Sequence, residues 1–183
     1  MSMITDELYE RFKGSLEGVN GGCVRVHKAD LAKTIADIYT QAGIKDACVA
    51  ESDFLKDAGV VAAMKEAGIE TYTDHIRLHG ETAKGGISEA QAGIAELGTL
   101  VQLGDAIDTR LVAIMPEYYI GVVKGSTIVP EYDEMFCKIG AMPEIPKFVG
   151  FITGPSRTAD IECVGTVGVH GPIKMTAIVV DDE

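Results

Sequence analysis

Apolar runs and amphipathic segments alternate along the first 72 residues of the chain. Three segments place apolar residues at the spacing of one helix face, and they are residues 6–16, 31–41 and 53–67. Short apolar runs between them predict strands at residues 23–26, 47–50 and 69–72. Because strands separated by helices pair in parallel through right-handed crossovers, this order predicts an α/β fold. The central sheet is then mostly parallel and flanked by helices.

The rest of the chain predicts further elements of both kinds. Ser88 and Gln91 have the spacing of a capping box, which predicts a helix between Ser88 and Gly98 after a flexible pair of glycines. Other helices are predicted at residues 130–139 and 157–162. Strands are predicted at residues 99–103, 111–115, 119–123, 127–129, 148–152 and 174–180. A hairpin-like turn at residues 124–126 predicts antiparallel additions to the sheet near residues 111–129.

Length and charge narrow the possible functions. A chain of 183 residues most often forms one domain, here residues 1–183 with a peripheral N-terminal helix within residues 1–16. The net charge of −12 argues against nucleic acid or an anionic membrane as partner, because both require clustered Lys and Arg. The charged N-terminal segment is unlike a signal peptide, and no apolar run approaches the ~20 residues that span a bilayer. We therefore expect a cytoplasmic location.

The sequence offers little for a metal or a cofactor. The four cysteines lie far apart with no C-x-x-C pair, which argues against a zinc ribbon or an iron–sulfur cluster held by this chain alone. His75 and His79 have the spacing of two metal ligands on a helix, but no third ligand is near them in the sequence. We predict a surface pair at these positions, no metal site, and no cofactor bound by this chain alone.

The turn at residues 153–156 is the strongest candidate for chemistry. It follows an apolar strand and precedes a predicted helix that begins at Arg157. Backbone N–H groups at the start of such a helix attract anions, and a glycine in the turn lets a ligand approach the backbone. The Arg157 guanidinium offers a planar fork for a carboxylate or phosphate. The predicted ligand-binding residues of this turn are Gly154, Ser156, Arg157, Thr158 and Asp160.

Two further side chains are candidate catalytic residues. His170 lies on the Gly-rich loop 165–172, and Glu96 lies where the predicted helix meets the next strand. Loops that follow neighbouring strands converge over the carboxyl edge of an open α/β sheet, so we expect both residues near Arg157. Glu96 can then act as base, nucleophile or acceptor, and His170 can exchange a proton. Glu96 is equally consistent with capping a helix or pairing with an arginine. For the turn, the alternative is that Arg157 pairs with Asp160 or Glu162 and His170 bonds to a backbone carbonyl, and we favour the anion pocket.

Three motifs resemble those of the LUD domain of the lactate utilization protein C (LutC) family. They are Gly86-Ile87-Ser88 continuing through Ala95-Glu96-Leu97-Gly98-Thr99-Leu100-Val101, the stretch 153–162, and Gly168-Val169-His170-Gly171-Pro172. The resemblance implies a single LUD domain of NagB/RpiA/CoA-transferase-like fold, and it adds Thr99 to the ligand-binding residues. It also implies a role in the oxidation of L-lactate to pyruvate beside LutA-like and LutB-like partner proteins, which carry iron–sulfur clusters and cysteine-rich domains. Two positions depart from the family pattern, since Leu97 replaces a threonine and Tyr119 replaces a histidine.

Three functions are open at this point. The first is a LutC-like component of a lactate-oxidising system that binds a small carboxylate or phosphate and leaves electron transfer to its partners. The second is a stand-alone acyl or CoA transferase, or a sugar-phosphate isomerase, with Glu96 as nucleophile or base. The third is a regulatory module that senses a carboxylate. We favour the first because of the resemblance, and the chain's lack of clustered cysteines and of a G-x-G-x-x-G motif after a strand fits it.

Overall fold

The computed structural model describes residues 4–158 and 165–181 and has an α/β fold. The helices are α1 (Asp6–Gly18), α2 (Lys28–Gln41), α3 (Asp53–Asp57), α4 (Val60–Glu66), α5 (Ile76–His79), α6 (Ile107–Ile114) and α7 (Tyr132–Gly140). The strands are β1 (Gly22–Val26), β2 (Asp46–Ala50), β3 (Glu70–Tyr72), β4 (Gly85–Ala90), β5 (Ala92–Ile94), β6 (Thr99–Leu103), β7 (Tyr118–Lys124), β8 (Ile128–Val129), β9 (Val149–Ile152), β10 (Arg157–Thr158), β11 (Thr166–Val167) and β12 (Lys174–Val180).

The central sheet has six parallel strands in the order β1-β12-β7-β4-β2-β3. A second sheet has the order β8-β5-β6-β9 and is antiparallel except for the pair β5 and β8. Strands β10 and β11 form an antiparallel pair, which we call the β10–β11 ribbon. The prediction of a mostly parallel central sheet is therefore confirmed, and the antiparallel pairing lies in the second sheet and the ribbon.

Apolar side chains cover both faces of the central sheet. Helices α2, α3 and α4 cover one face, where Ile35 and Met64 pack in one buried cluster with Ile87. Helix α1 and the second sheet cover the other face, where Leu16 and Leu100 share a buried cluster. Burial of apolar area at roughly 25 cal/mol per Å² makes these two clusters the main stabilising contribution to the fold. The predicted N-terminal helix is present as α1, begun by Thr5, whose hydroxyl accepts a hydrogen bond from the Leu8 N–H at 3.3 Å.

The predicted strand 111–115 is wrong, because residues 111–114 belong to helix α6 and Met115 is its C-cap. Val112 and Ala113 are buried, whereas Ile107 and Ile114 are exposed, as expected for one face of a helix. A run of five apolar residues does not distinguish a strand from a buried helical segment, so the sequence pattern was ambiguous.

The predicted helix between Ser88 and Gly98 is also wrong, since the chain forms β4 and β5 there. Strand β4 lies between β2 and β7, and the Ser88 hydroxyl is fully buried instead of capping a helix. Pairing within the central sheet overrides the local capping pattern in this segment. Gly86 is not a flexible joint either, because a Cβ there would lie 3.1 Å from the carbonyl carbon of Val112 in α6.

The helix predicted at residues 157–162 is not formed at its start, because Arg157 and Thr158 are strand β10. Residues 159–162 lie outside the described part of the chain. Two smaller corrections follow from the same structure. The 53–67 helix is divided into α3 and α4 at Gly59, whose φ is +72°. The 124–126 turn joins strands of two different sheets, and β7 pairs in parallel on both sides, so residues 111–129 hold neither a hairpin nor antiparallel additions to the central sheet.

Candidate functional site

The turn at residues 153–156 is held from two sides. The Thr153 hydroxyl forms a 2.6 Å hydrogen bond with the Thr99 hydroxyl of β6. Gly154 has a φ of +73°, and a Cβ there would lie 2.9 Å from the backbone oxygen of Val19 at the end of α1. Both a left-handed conformation and a close backbone approach therefore require glycine at this position.

The loop that carries His170 is bonded to the same turn. The Ser156 N–H donates to the Pro172 carbonyl at 2.9 Å, and the Ser156 carbonyl accepts from the Gly168 N–H at 2.9 Å. Arg157 and His170 are both exposed beside this junction. The structure thus joins the two predicted segments, but the Ser156 N–H is already used and no helix N-terminus is formed at Arg157.

The location of this junction differs from the expected one. The loop 168–173 leads into the amino end of β12, so it lies at the amino edge of the central sheet and not at the carboxyl edge. At the carboxyl edge, the ammonium groups of Lys28 and Lys124 lie 5.1 and 4.9 Å from the ring centroid of Phe54. The Lys124 ammonium also lies 3.8 Å from the Glu89 carboxylate.

The Glu96 side chain is engaged at the start of α7. Its carboxylate accepts a hydrogen bond from the Tyr132 N–H at 3.0 Å, and its backbone carbonyl accepts one from the Ser15 hydroxyl at 3.0 Å. Nearby, Arg11 donates to the Glu131 carboxylate at 2.7 Å and lowers its pKa, chiefly through this hydrogen bond. Of the two readings of Glu96, the structure contains the capping contact, and a chemical role stays a prediction. Asp160 lies outside the described residues.

A cleft of about 510 Å³ opens between α6 and β9. We call it the α6–β9 cleft, and it is lined by Gln102, Ile107, Arg110, Leu111, Ala113, Ile114, Phe148, Gly150, Phe151 and Ile152. The Arg110 guanidinium carbon lies 5.0 Å from the ring centroid of Phe148. The Arg110 Nε is buried, and no acceptor among the described residues binds it. An arginine in this state is suited to an anionic ligand.

A buried polar network reaches the inner wall of the α6–β9 cleft. The Gln102 amide nitrogen donates to the Ser88 hydroxyl at 2.9 Å and to the Thr109 carbonyl at 3.2 Å. The Ser88 hydroxyl also bonds to the Tyr119 hydroxyl at 2.9 Å. Burial raises the pKa of Tyr119 to about 12, with a smaller opposing effect of the Ser88 bond, so this phenol is neutral at physiological pH. The position where the family pattern has histidine therefore holds a neutral hydrogen-bonding group.

Sequence reasoning missed the α6–β9 cleft. One signal was available, because Ile107, Leu111 and Ile114 fall at helical spacing around Arg110. Two of these apolar side chains, Ile107 at 59% and Ile114 at 54% exposure, are not covered by the protein. Reading residues 111–115 as a strand hid that stripe.

The described histidines do not form a metal site. Within residues 4–158 and 165–181, no group of three or more His, Cys, Asp or Glu side chains is close enough to hold a metal ion. His79 stacks on Tyr72 with ring centroids 3.9 Å apart, and His75 is exposed. No described helix combines the length and the apolar character needed to cross a membrane.

The chain is similar to known proteins over nearly its whole length. The LUD domain family pattern matches residues 9–180. Lactate utilization protein C 1 of Bacillus mycoides (strain KBAB4) is 32% identical over 193 aligned positions, which cover 97% of this chain and 81% of that protein. Lactate utilization protein C of Macrococcus caseolyticus (strain JCSC5402) is 32% identical and covers 97% of this chain and 80% of its own length. The crystal structure of a DUF162 family protein from Deinococcus radiodurans shares the fold, with a TM-score of 0.68 and 20% identity over 95% of this chain and 96% of that one.

Proposed function

Because the chain belongs to the LUD domain family, we propose that it is a LutC-like component of an L-lactate utilization system. One observation carries this proposal: relatives named lactate utilization protein C align with 97% of the chain at 32% identity. These alignments also cover four fifths of the relatives' own length, 81% and 80%. The likeness therefore concerns the domain as a whole and not one shared motif.

We further propose that the chain works beside iron–sulfur partner proteins of the LutA-like and LutB-like kinds. In this proposal the partner proteins accept the electrons released when lactate is oxidised to pyruvate, and this chain binds a small carboxylate or phosphate. The cysteines Cys23, Cys48 and Cys137 lie in β1, β2 and α7, so they are distributed over three separate elements.

The junction of the β10–β11 ribbon with the 168–172 loop is the proposed carboxylate site. Arg157 supplies a permanently charged fork for the carboxylate, and His170 can exchange a proton with a bound hydroxy or keto acid. The bonds between Ser156 and the 168–172 loop support this assignment, because they keep the two exposed side chains on one junction.

The alternative of a transferase or isomerase requires a free Glu96 carboxylate. That carboxylate accepts the Tyr132 N–H at 3.0 Å, which favours the first proposal. Glu96→Gln keeps a carbonyl acceptor for this N–H and removes the charge. Unchanged stability and unchanged lactate utilization in this variant would argue against any chemical role of Glu96.

The proposal is tested by deleting the gene in its own host and measuring growth on L-lactate as the only carbon source. We expect growth to fail and to return with the wild-type gene. Arg157→Ala should restore growth poorly while unfolding at the wild-type temperature, because Arg157 is exposed. Normal growth of the deletion strain would refute the lactate role. Full rescue by Arg157→Ala would refute only the proposed carboxylate site.

A further inference from the structure

We propose that the α6–β9 cleft binds a monocarboxylate with an apolar body larger than that of lactate. The site is built from α6, β6, β9 and Phe148, and it shares no residue with the Arg157 and His170 junction. It therefore does not rest on the lactate role.

Arg110 supplies the charge that recognises the ligand. Arg25 offers a comparison, because its Nε donates to the Asp181 carboxylate at 2.6 Å. By contrast, no described carboxylate or carbonyl accepts a hydrogen bond from Arg110, and its Nε is buried. Arg110 lines the cleft, and a ligand carboxylate there would accept paired hydrogen bonds from the terminal nitrogens of the guanidinium, because the buried Nε itself is closed to the cleft.

The surroundings of Arg110 fit one negative charge better than two. The Phe148 ring, 5.0 Å from the guanidinium carbon, occupies one side of the cation. The other lining side chains are apolar apart from Gln102, and Gln102 is fixed by its bonds to Ser88 and Thr109. A phosphate dianion needs more donors than a single arginine offers, whereas a monocarboxylate can be neutralised by it.

The walls of the cleft specify the rest of the ligand. Ile107 and Ile114 on α6 are 59% and 54% exposed, and Ile152 lines the cleft from β9. An apolar body in the cleft would remove these side chains from water. The volume of about 510 Å³ lies in the range of small-molecule pockets. The single methyl group of lactate would leave most of these walls in water.

The test uses isothermal titration of the purified full-length chain with octanoate as the probe. Two comparison compounds separate the contributions: octan-1-ol keeps the tail without the charge, and lactate keeps the charge without the tail. We expect octanoate to bind at least about tenfold more tightly than either, because a charged hydrogen bond and an apolar tail each contribute that much.

Replacing each of two arginines by methionine shows which of them binds the ligand carboxylate. Arg110→Met should weaken octanoate binding by about ten- to a hundredfold, whereas Arg157→Met should leave it unchanged. Ile114→Glu should also weaken binding, because an exposed wall position can accept a charge without loss of the fold, and this charge repels the carboxylate. Thermal unfolding of each variant checks that the chain is folded.

Three results would overturn the proposal. Equal affinity for octanoate and octan-1-ol would show that Arg110 does not recognise the charge. Weaker binding in Arg157→Met but not in Arg110→Met would locate the anion at the ribbon. Tighter binding of lactate than of octanoate would show that the cleft does not select a ligand with a large apolar body.

Discussion

Because Gly86 has no side chain, α6 can approach the central sheet closely, and a larger residue at this position should destabilise the fold. A Cβ at Gly86 would lie 2.8 Å from the Cγ of Pro116 and 3.1 Å from the carbonyl carbon of Val112, and it would lie closer still to the Val112 oxygen. Favourable contacts between carbon atoms lie at about 3.5 to 4.0 Å. Because the obstacle is helix backbone, Gly86→Ala must push α6 away from β4 by roughly 1 Å.

The expected loss of stability combines two opposing effects. Overpacking of a buried contact costs about 1 to 3 kcal/mol, and the reduced freedom of the unfolded chain returns about 0.4 to 1 kcal/mol. We expect Gly86→Ala to lower the free energy of unfolding by about 1 to 2 kcal/mol in urea titrations. The midpoint of thermal unfolding should fall by about 2 to 8 °C.

The matched control is Gly14→Ala in the middle of α1. A Cβ there would meet nothing within 4 Å, and the site is exposed. This change should raise the free energy of unfolding by about 0.5 to 1 kcal/mol. If Gly86→Ala were as stable as the wild type or more so, the close approach of α6 to β4 would be refuted.

Three further predictions concern buried groups. Ser88→Ala should cost about 2 to 3 kcal/mol, because it leaves the buried Tyr119 hydroxyl unpaired and removes one of the two bonds of the Gln102 amide. Tyr119→Phe should cost only about 1 kcal/mol, because Ser88 keeps its bond with Gln102. Equal losses in urea titrations would contradict the network. Burial raises the pKa of Cys23 to about 12, which leaves roughly one thiolate in ten thousand at pH 8. Iodoacetamide at pH 8 should therefore modify the exposed Cys137 quickly and Cys23 only after unfolding, as read by peptide mass mapping. Arg25 donates hydrogen bonds to Asp6, to the Ile4 carbonyl and to Asp181, so it ties the start of α1 to the end of β12. Arg25→Met should lower the free energy of unfolding by about 1 to 3 kcal/mol and speed hydrogen exchange at the start of α1. Unchanged exchange would show that Arg25 does not hold this part of the helix.

The first three strands and the helices around them could be predicted because their patterns are long and regular. Helix α2 keeps a buried face through Leu31, Ile35 and Tyr39, and β2 is a continuous apolar run. The errors have separate causes. The five apolar residues at 111–115 fit the period of a strand as well as that of a helix, and Ser88 has a capping pattern that pairing in the central sheet overrides.

The sequence predicted one of the two candidate sites in part and the other not at all. The nearness of the 153–156 turn to the 168–172 loop was predicted for the carboxyl edge of the sheet, whereas hydrogen bonds through Ser156 join the two segments at the amino edge. The α6–β9 cleft depends on Gln102, Arg110 and Phe148, which are brought together only by the second sheet. No local period or motif connects three positions from separate elements, so contacts of this kind require the folded chain.

Strand β12 lies between β1 and β7, although it follows all the other described strands in the chain. Its partner β1 pairs Gly22 with Thr176 and Val26 with Val180, so the two strands come from opposite ends of the chain. During synthesis, β1 therefore has no neighbour in the central sheet until residue 180 has left the ribosome. The nascent chain must keep an unpaired strand edge and the apolar positions of β7 exposed until then, a state that favours aggregation. In the folded protein β12 pairs with a strand on each side. Because β12 can join the sheet only at the end of synthesis, we expect folding to depend on chaperones when the chain is expressed at a high rate.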